Sequence, residues 1–198
     1  MSQRLMTVRF MLLSALVPTA LFTSAAHADT FDVNLSDSSA QFKYLTTIEG
    51  STQGGRRELG FGFLYNDDDN YLGEASFIIT DVPGTKAPGL EVGVGPKLYV
   101  IRHDKSKLDA VSIGLGAQFS YKIPSVTRIN FGAAVFYAPG IVSFADAQSV
   151  REFMATVGYE VLPTADVYLG YRFVGVDFDP YGKKTIDETA LIGLSFSF

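Results

Sequence analysis

The sequence predicts an all-β protein: an antiparallel up-and-down transmembrane β-barrel of about ten strands, or eight if the first runs merge or one is demoted. Three observations carry that expectation. Short runs alternate large apolar with small or polar residues at a period of two, the repeat of a strand whose faces differ. Glycine falls almost wholly on the polar face of those runs. After the first 28 residues there is no long uninterrupted apolar stretch, whereas a membrane-crossing helix needs about 20 residues.

The leader comes first. Arg4 and Arg9 are its only charges, an apolar run follows from Phe10 to Phe22, and Ala26-His27-Ala28 offers a small-x-small cleavage site before Asp29. This is the layout of a secretory signal peptide. Residues 1–28 are expected to be removed after Ala28, leaving residues 29–198 as one barrel domain. The chain has 16 basic and 21 acidic residues, and the leader takes two basic and no acidic ones, so the remainder carries −7. Nucleic acid is not an expected partner, because phosphate binding calls for a basic surface. With no cysteine in the chain, disulfides and thiolate metal sites are excluded, and no motif for a cofactor is expected.

Taken in order, the first run sets Phe31, Val33 and Leu35 on one face before the turn residues "SDSS". The second sets Phe42, Tyr44, Thr46 and Ile48 together, and the third sets Leu59, Phe61, Phe63 and Tyr65 against Glu58, Gly60, Gly62 and Leu64, ending at the turn "NDDDN". Gly73, Ala75, Phe77 and Ile79 mark the fourth; Leu90, Val92, Val94, Leu98 and Val100 mark the fifth. The sixth carries Val111, Ile113, Leu115, Ala117, Phe119 and Tyr121, and the seventh Ile129, Phe131, Ala133, Val135 and Tyr137. Phe153 to Val161, Val167 to Phe173 and the terminal "LIGLSFSF" repeat the alternation and bring the count to ten. Pro96 interrupts the fifth run, where it predicts either a bulge or a strand boundary, since proline cannot donate to the ladder.

Two β architectures fit this alternation, and they differ in which face is inside. In a soluble periplasmic sandwich that binds a ligand or partner, the apolar face is the core. In a membrane barrel it meets lipid, and the polar face lines the lumen. Gly60, Gly62, Gly93, Gly95, Gly114, Gly116, Gly132, Gly158, Gly170 and Gly193 all lie on the polar face, with Gly73 the exception within the runs. A solvated face has no need of missing side chains, whereas the inside of a narrow barrel must keep positions small. The barrel is the expectation. With Phe198 at the periplasmic side, "APGIVSFADAQS" and "DPYGKKTID" become long external loops and "IPSV" and "LPTA" short periplasmic turns, the usual asymmetry, although "VPGTKAPG" also falls inside and is longer than usual. Tyr65, Tyr71 and Tyr137 would then form an external aromatic girdle and Tyr121 and Tyr159 a periplasmic one, without tryptophan.

The stretches "GRRELGFGFLYNDDDNYLG", "KAPGLEVGVGPKLY" and "YEVLPTADVYLGYRF", with the terminal Phe, resemble the YfaZ-type family of small bacterial outer-membrane proteins over most of the mature chain. The resemblance implies a small β-barrel in the cell outer membrane and supplies no catalytic residue. The row Ile192, Leu194, Phe196 and Phe198 resembles the signal by which the outer-membrane assembly machinery recognises its clients. That machinery is therefore an expected partner, together with membrane lipid and lipopolysaccharide.

On the expected lumen face lie Lys43, Glu58, Glu74, Glu91, Lys97, Lys122, Arg128, Glu160 and Arg172, with Asp32 and Glu152 on the same parity. Mixed signs predict an internal ion-pair network, because an unpaired buried ion is costly. That network is either a structural plug or a narrow, porin-like, ion-selective path, and ten strands lies near the filled end of the barrel series. Arg102, Lys105 and Lys107, with Lys183 and Lys184, are either the ordinary charges of solvated turns or contacts for lipopolysaccharide phosphates. The triplet Asp67 to Asp69 lacks the pattern of a calcium loop and reads as a hairpin tip. His103 beside Asp104 raises a rim-active hydrolase as an alternative, but neighbours on a strand point to opposite faces and make a poor dyad. An enzyme is not the expectation. No feature specifies an oligomeric state, and a monomer is the default.

Overall fold

The computed structural model describes residues 29–48, 56–81, 87–103, 107–126 and 128–198. The predicted signal peptide lies outside the described residues. The strands are β1 (Asp29–Leu35), β2 (Ser39–Ile48), β3 (Arg56–Asn66), β4 (Asn70–Asp81), β5 (Leu90–His103), β6 (Leu108–Lys122), β7 (Ile129–Ala138), β8 (Ser143–Ala145), β9 (Ala147–Leu162), β10 (Ala165–Phe178) and β11 (Gly182–Ser197). All pairings are antiparallel. Sequential neighbours pair from β1 to β7, β7 pairs with β9, and β1 pairs with β11, so ten strands close into a ring.

The eleventh strand is a continuation rather than an addition to the ring. β7 lies along Leu115 to Lys122 of β6, and β8 lies further along the same strand, on Ala110 to Ser112. A single 3-10 turn at Gly140–Val142 separates them. Pro139 cannot donate to the ladder, and the wall line breaks there.

The strands are tilted, as closure requires. Hydrogen-bonded partners lead from Arg56 to Thr80, Gly93, Gln118, Ala134, Met154, Arg172 and Thr189. This path starts at the end of the barrel that holds Asp29 and Phe198, here the terminal end. It finishes at Thr189, whose hydroxyl donates to Asp37 in the β1–β2 turn at the distal end.

The alternation of the sequence becomes a lipid face and a lumen face. Phe61, Leu115, Leu169 and Phe196 point outward and stay exposed, Leu115 and Leu169 at 69% and 64%. Tyr65 and Tyr71 pack together on the outside at 5.1 Å between ring centroids, near the distal ends of β3 and β4. The glycines of the polar parity face inward because inward neighbours leave no room: a Cβ on Gly193 would lie 2.0 Å from the Tyr168 ring. A Cβ on outward Gly73 meets nothing closer than 3.9 Å.

Two expectations change. The long external loops do not form: "APGIVSFADAQS" folds into β8 and the start of β9, and "DPYGKKTID" gives most of its residues to β11. Among the described residues, only 36–38, 67–69, 146 and 179–181 separate strands in these distal hairpins, which otherwise continue as paired strand. Pro96 produces neither a bulge nor a boundary. β5 runs through it, its register with β4 is the same on both sides, and only the pairing of Gly95 and Pro96 with β4 is missing. The absent N–H of Pro96 and the approach of Gly95 to the Phe77 carbonyl, where a Cβ would lie 1.9 Å away, account for the gap.

Candidate functional site

The lumen has two tiers of different chemistry. In the distal half, inward side chains form one apolar cluster that includes Leu64, Leu72, Ile101, Leu108, Val174, Val176, Phe178 and Ile186. A bulge in β11 opposite Val174 and Gly175 turns both Ile186 and Asp187 inward. Ile186 then joins the apolar cluster and Asp187 reaches the tier below. Across the lumen, Asn66 donates from its amide to the Ile186 carbonyl at 2.6 Å, and Asn70 donates to the same oxygen at 3.5 Å. These bonds tie the β3–β4 hairpin to the opposite wall.

Beneath the apolar cap sit two polar networks. The first runs through four charges on four strands. Lys43 lies 3.2 Å from Glu74, Lys97 lies 3.3 Å from Glu74 and 3.0 Å from Glu152, and the Tyr99 hydroxyl donates to Glu152 at 2.6 Å. Lys97 also stands over the Phe136 ring, 4.3 Å from its centroid, a favourable cation–π placement. Two positive and two negative groups leave the chain neutral, which is the condition for keeping it in a low-dielectric interior.

The second network centres on Arg172, which is fully buried at 0% exposure. Its Nε donates to Asp187 at 2.7 Å, Nη1 to Asn34 and Gln41 at 2.5 and 2.6 Å, and Nη2 to Ser39 at 3.0 Å. The planar fork is satisfied from β1, β2 and β11 at once, a pattern lysine could not reproduce. Asn34 also donates to Asp32 at 3.3 Å, and Tyr168 donates to Asp32 at 2.8 Å.

The terminal half holds open space. A chamber of about 370 Å³ is lined by Asp32, Lys43, Gln118, Asn130, Asp166, Tyr168 and Ser195, among others. A deeper annex of about 150 Å³ shares Lys43, Leu45, Gln118, Ala134 and Met154 with it and ends against Lys97 and Glu152. At the mouth, Arg56 lies 3.2 Å from Glu91 and 4.0 Å from Glu58, and Lys122 lies 3.1 Å from Glu160.

The candidate lumen charges thus separate by depth. Lys43, Glu74 and Lys97 share one buried network, Arg172 anchors another, and Glu58, Glu91, Lys122 and Glu160 ring the terminal mouth. Arg128 is outside the lumen altogether. It precedes β7 on an exposed turn, where its carbonyl accepts from the Glu160 N–H at 2.7 Å. Glu152, Asp187 and the Asn and Gln partners of Arg172 complete the networks. Glu152 was marked by its parity, whereas the bulge hid Asp187.

Other candidates fall at the ends. Arg102 faces outward in register with Asp109, and Lys107 is exposed on the distal β5–β6 turn. Asp104 and Lys105 lie outside the described residues. His103 faces inward, is buried, hydrogen bonds to Asn70 and stacks on Phe178 with centroids 6.4 Å apart. Asp69 accepts from the Tyr65 hydroxyl at 3.0 Å within the β3–β4 hairpin. Among the described residues, no group of three or more His, Asp or Glu side chains is placed to hold a metal ion. Ile192, Leu194 and Phe196 form the outward row of β11, and Phe198 exchanges both backbone hydrogen bonds with Asp29 at 3.0 and 2.9 Å.

Solved structures share this architecture. The chain aligns with the KdgM porin at a TM-score of 0.50 and 11% identity, covering 87% of this chain and 99% of that one. The KdgM porin in complex with disordered oligogalacturonate gives the same values, and the NanC porin gives 0.46 and 12%, covering 87% and 100%. At such identities the likeness to the KdgM porin is one of fold. No curated protein matches the chain. The family model described as YfaZ precursor matches residues 11–198, and with the closed barrel, its apolar exterior and its charged lumen this places the chain in the YfaZ family, as an exported outer-membrane β-barrel of porin-like architecture.

Proposed function

We propose that this barrel is a non-enzymatic, structural component of the outer membrane. Its distal half is a permanent plug, and its terminal end opens to the periplasm as a blind vestibule. The observation that carries this reading is the cross-lumen bond from Asn66 to the Ile186 carbonyl, set in an apolar cluster that continues to the buried Arg172 network. An ion crossing the barrel would have to part that cluster and lose its hydration among groups already paired with one another. His103 is a packing group in this reading, since its ring is held between Asn70 and Phe178.

The same reading gives roles to the ends. The outward row Ile192, Leu194, Phe196 and Phe198 serves as the segment read by the assembly machinery and then becomes lipid-facing wall. Arg102 and Lys107, with Lys105 beside them in sequence, contact lipopolysaccharide phosphates at the distal rim.

Planar-bilayer recording on refolded protein tests the proposal, and silence is expected. A second reading, a narrow ion path, draws on the continuity of chamber and annex up to Lys97. Conductance steps whose ion selectivity changes in Lys97→Glu or Glu160→Lys variants would support that path and overturn the plug.

A further inference from the structure

We infer that the terminal chamber is a binding site for a linear aliphatic diamine of the polyamine class, held between the Asp32 and Asp166 carboxylates. The inference rests on the blind-vestibule reading above for what becomes of the ligand: it docks and does not pass.

The cations that line the chamber are already paired. Lys43 leans toward Glu74 and Lys122 toward Glu160, each within 3.2 Å, so both ammonium groups lining the chamber are compensated. The two carboxylates that line it touch no cation directly, although Lys43 and Arg172 act on Asp32 from further off. Asp32 is held by the Tyr168 hydroxyl at 2.8 Å and the Asn34 amide at 3.3 Å, and Asp166 by the Asn130 amide at 2.9 Å, all of them neutral donors. Among the described residues neither carboxylate has a cation within 4.0 Å. These neutral donors fix the orientation of each carboxylate and leave acceptor positions open to a cation. A carboxylate has about four acceptor positions, so one or two bonds leave room for an ammonium.

Spacing and shape narrow the class. Asp32 and Asp166 both pair with Ser195, from opposite sides of β11. Two inter-strand steps put their Cα atoms about 10 Å apart, and both side chains project into the same chamber. The span suits two ammonium groups joined by a short alkyl chain better than one compact cation. Met154, Leu45 and Ala134 supply apolar wall between chamber and annex for the methylene segment. The volume of about 370 Å³ falls in the range of small-molecule sites, which also occur in the mouths of barrels.

Isothermal titration of the refolded barrel with 1,5-diaminopentane tests the site, with glutarate, a dianion of similar length, as the control. Saturable binding of the diamine and none of glutarate is expected. Charge-assisted contacts of this kind make Asp32→Asn and Asp166→Asn each about tenfold weaker, and the double variant without measurable binding. Asp109→Asn, on the distal exterior, should bind as the parent does. Retention of heat-modifiable migration on gels shows that each variant has folded, and should Asp32→Asn not fold, Asp166→Asn with the two ligands decides alone. Equal binding of both ligands, no binding of the diamine, or full binding by a folded Asp166→Asn variant would each overturn the inference. Bilayer recording with the diamine present separates the two readings: binding with silence keeps both, whereas diamine-carried current removes the blind vestibule and leaves the site.

Discussion

The two halves of this lumen are built on the same strands with the same inward parity, yet one is packed dry and the other is open and polar. On β6, Leu108, Ala110 and Ser112 are buried in the distal half, while Gln118, Ser120 and Lys122 border the terminal chamber and its mouth. On β10 the same division separates Val174, Val176 and Phe178 from Asp166. A barrel wall therefore does not set the character of its interior. Each inward position decides locally whether the lumen is filled, and the bulge at Ile186 supplies one more filling residue than strict alternation would allow.

Removing groups from each tier gives sharply different expected costs, all measurable by urea unfolding of the refolded barrel. Arg172→Ala should be the most damaging, about 3–5 kcal/mol, because it leaves Asp187 buried with no counter-charge. Phe178→Ala should follow at about 3–5 kcal/mol, toward the lower end, since its neighbours Val176 and Ile186 can close part of the cavity. Asn66→Ala removes a buried donor from the Ile186 carbonyl and should cost about 1–3 kcal/mol. Lys122→Ala, at the hydrated mouth, should cost less than about 1 kcal/mol despite breaking an ion pair of similar length. Equal costs for Arg172→Ala and Lys122→Ala would erase the distinction between tiers.

The exterior and the strand count were legible in the sequence because a period of two assigns each residue to a face, and because glycine marked the crowded side. Depth was not legible, since parity is blind to position along the barrel axis. It placed Lys97 and Lys122 in one class, although Lys97 is buried and Lys122 lies at the mouth. The plug did leave a trace. Near their distal ends several strands are apolar on both parities, as in Phe63-Leu64-Tyr65, Leu98 to Ile101 and Phe173-Val174-Gly175-Val176. A strand with lipid on one side and a dry core on the other reads that way, as strands buried on both faces do. The stretch from Asp179 to Asp187 looked like a loop because its turn residues sit beside a bulge, and Ile186 and Asp187 were hidden with it.

Because the chain has no cysteine, single thiols can report on each tier in turn. Ser112 and Ser120 both face inward from β6, and the buried Ser112 hydroxyl makes no hydrogen bond among the described residues, so replacement by a thiol is mild. In the folded, membrane-inserted barrel a water-soluble maleimide should modify Ser120→Cys rapidly and Ser112→Cys only after unfolding. Comparable labelling of the two in the folded barrel would contradict a sealed distal half.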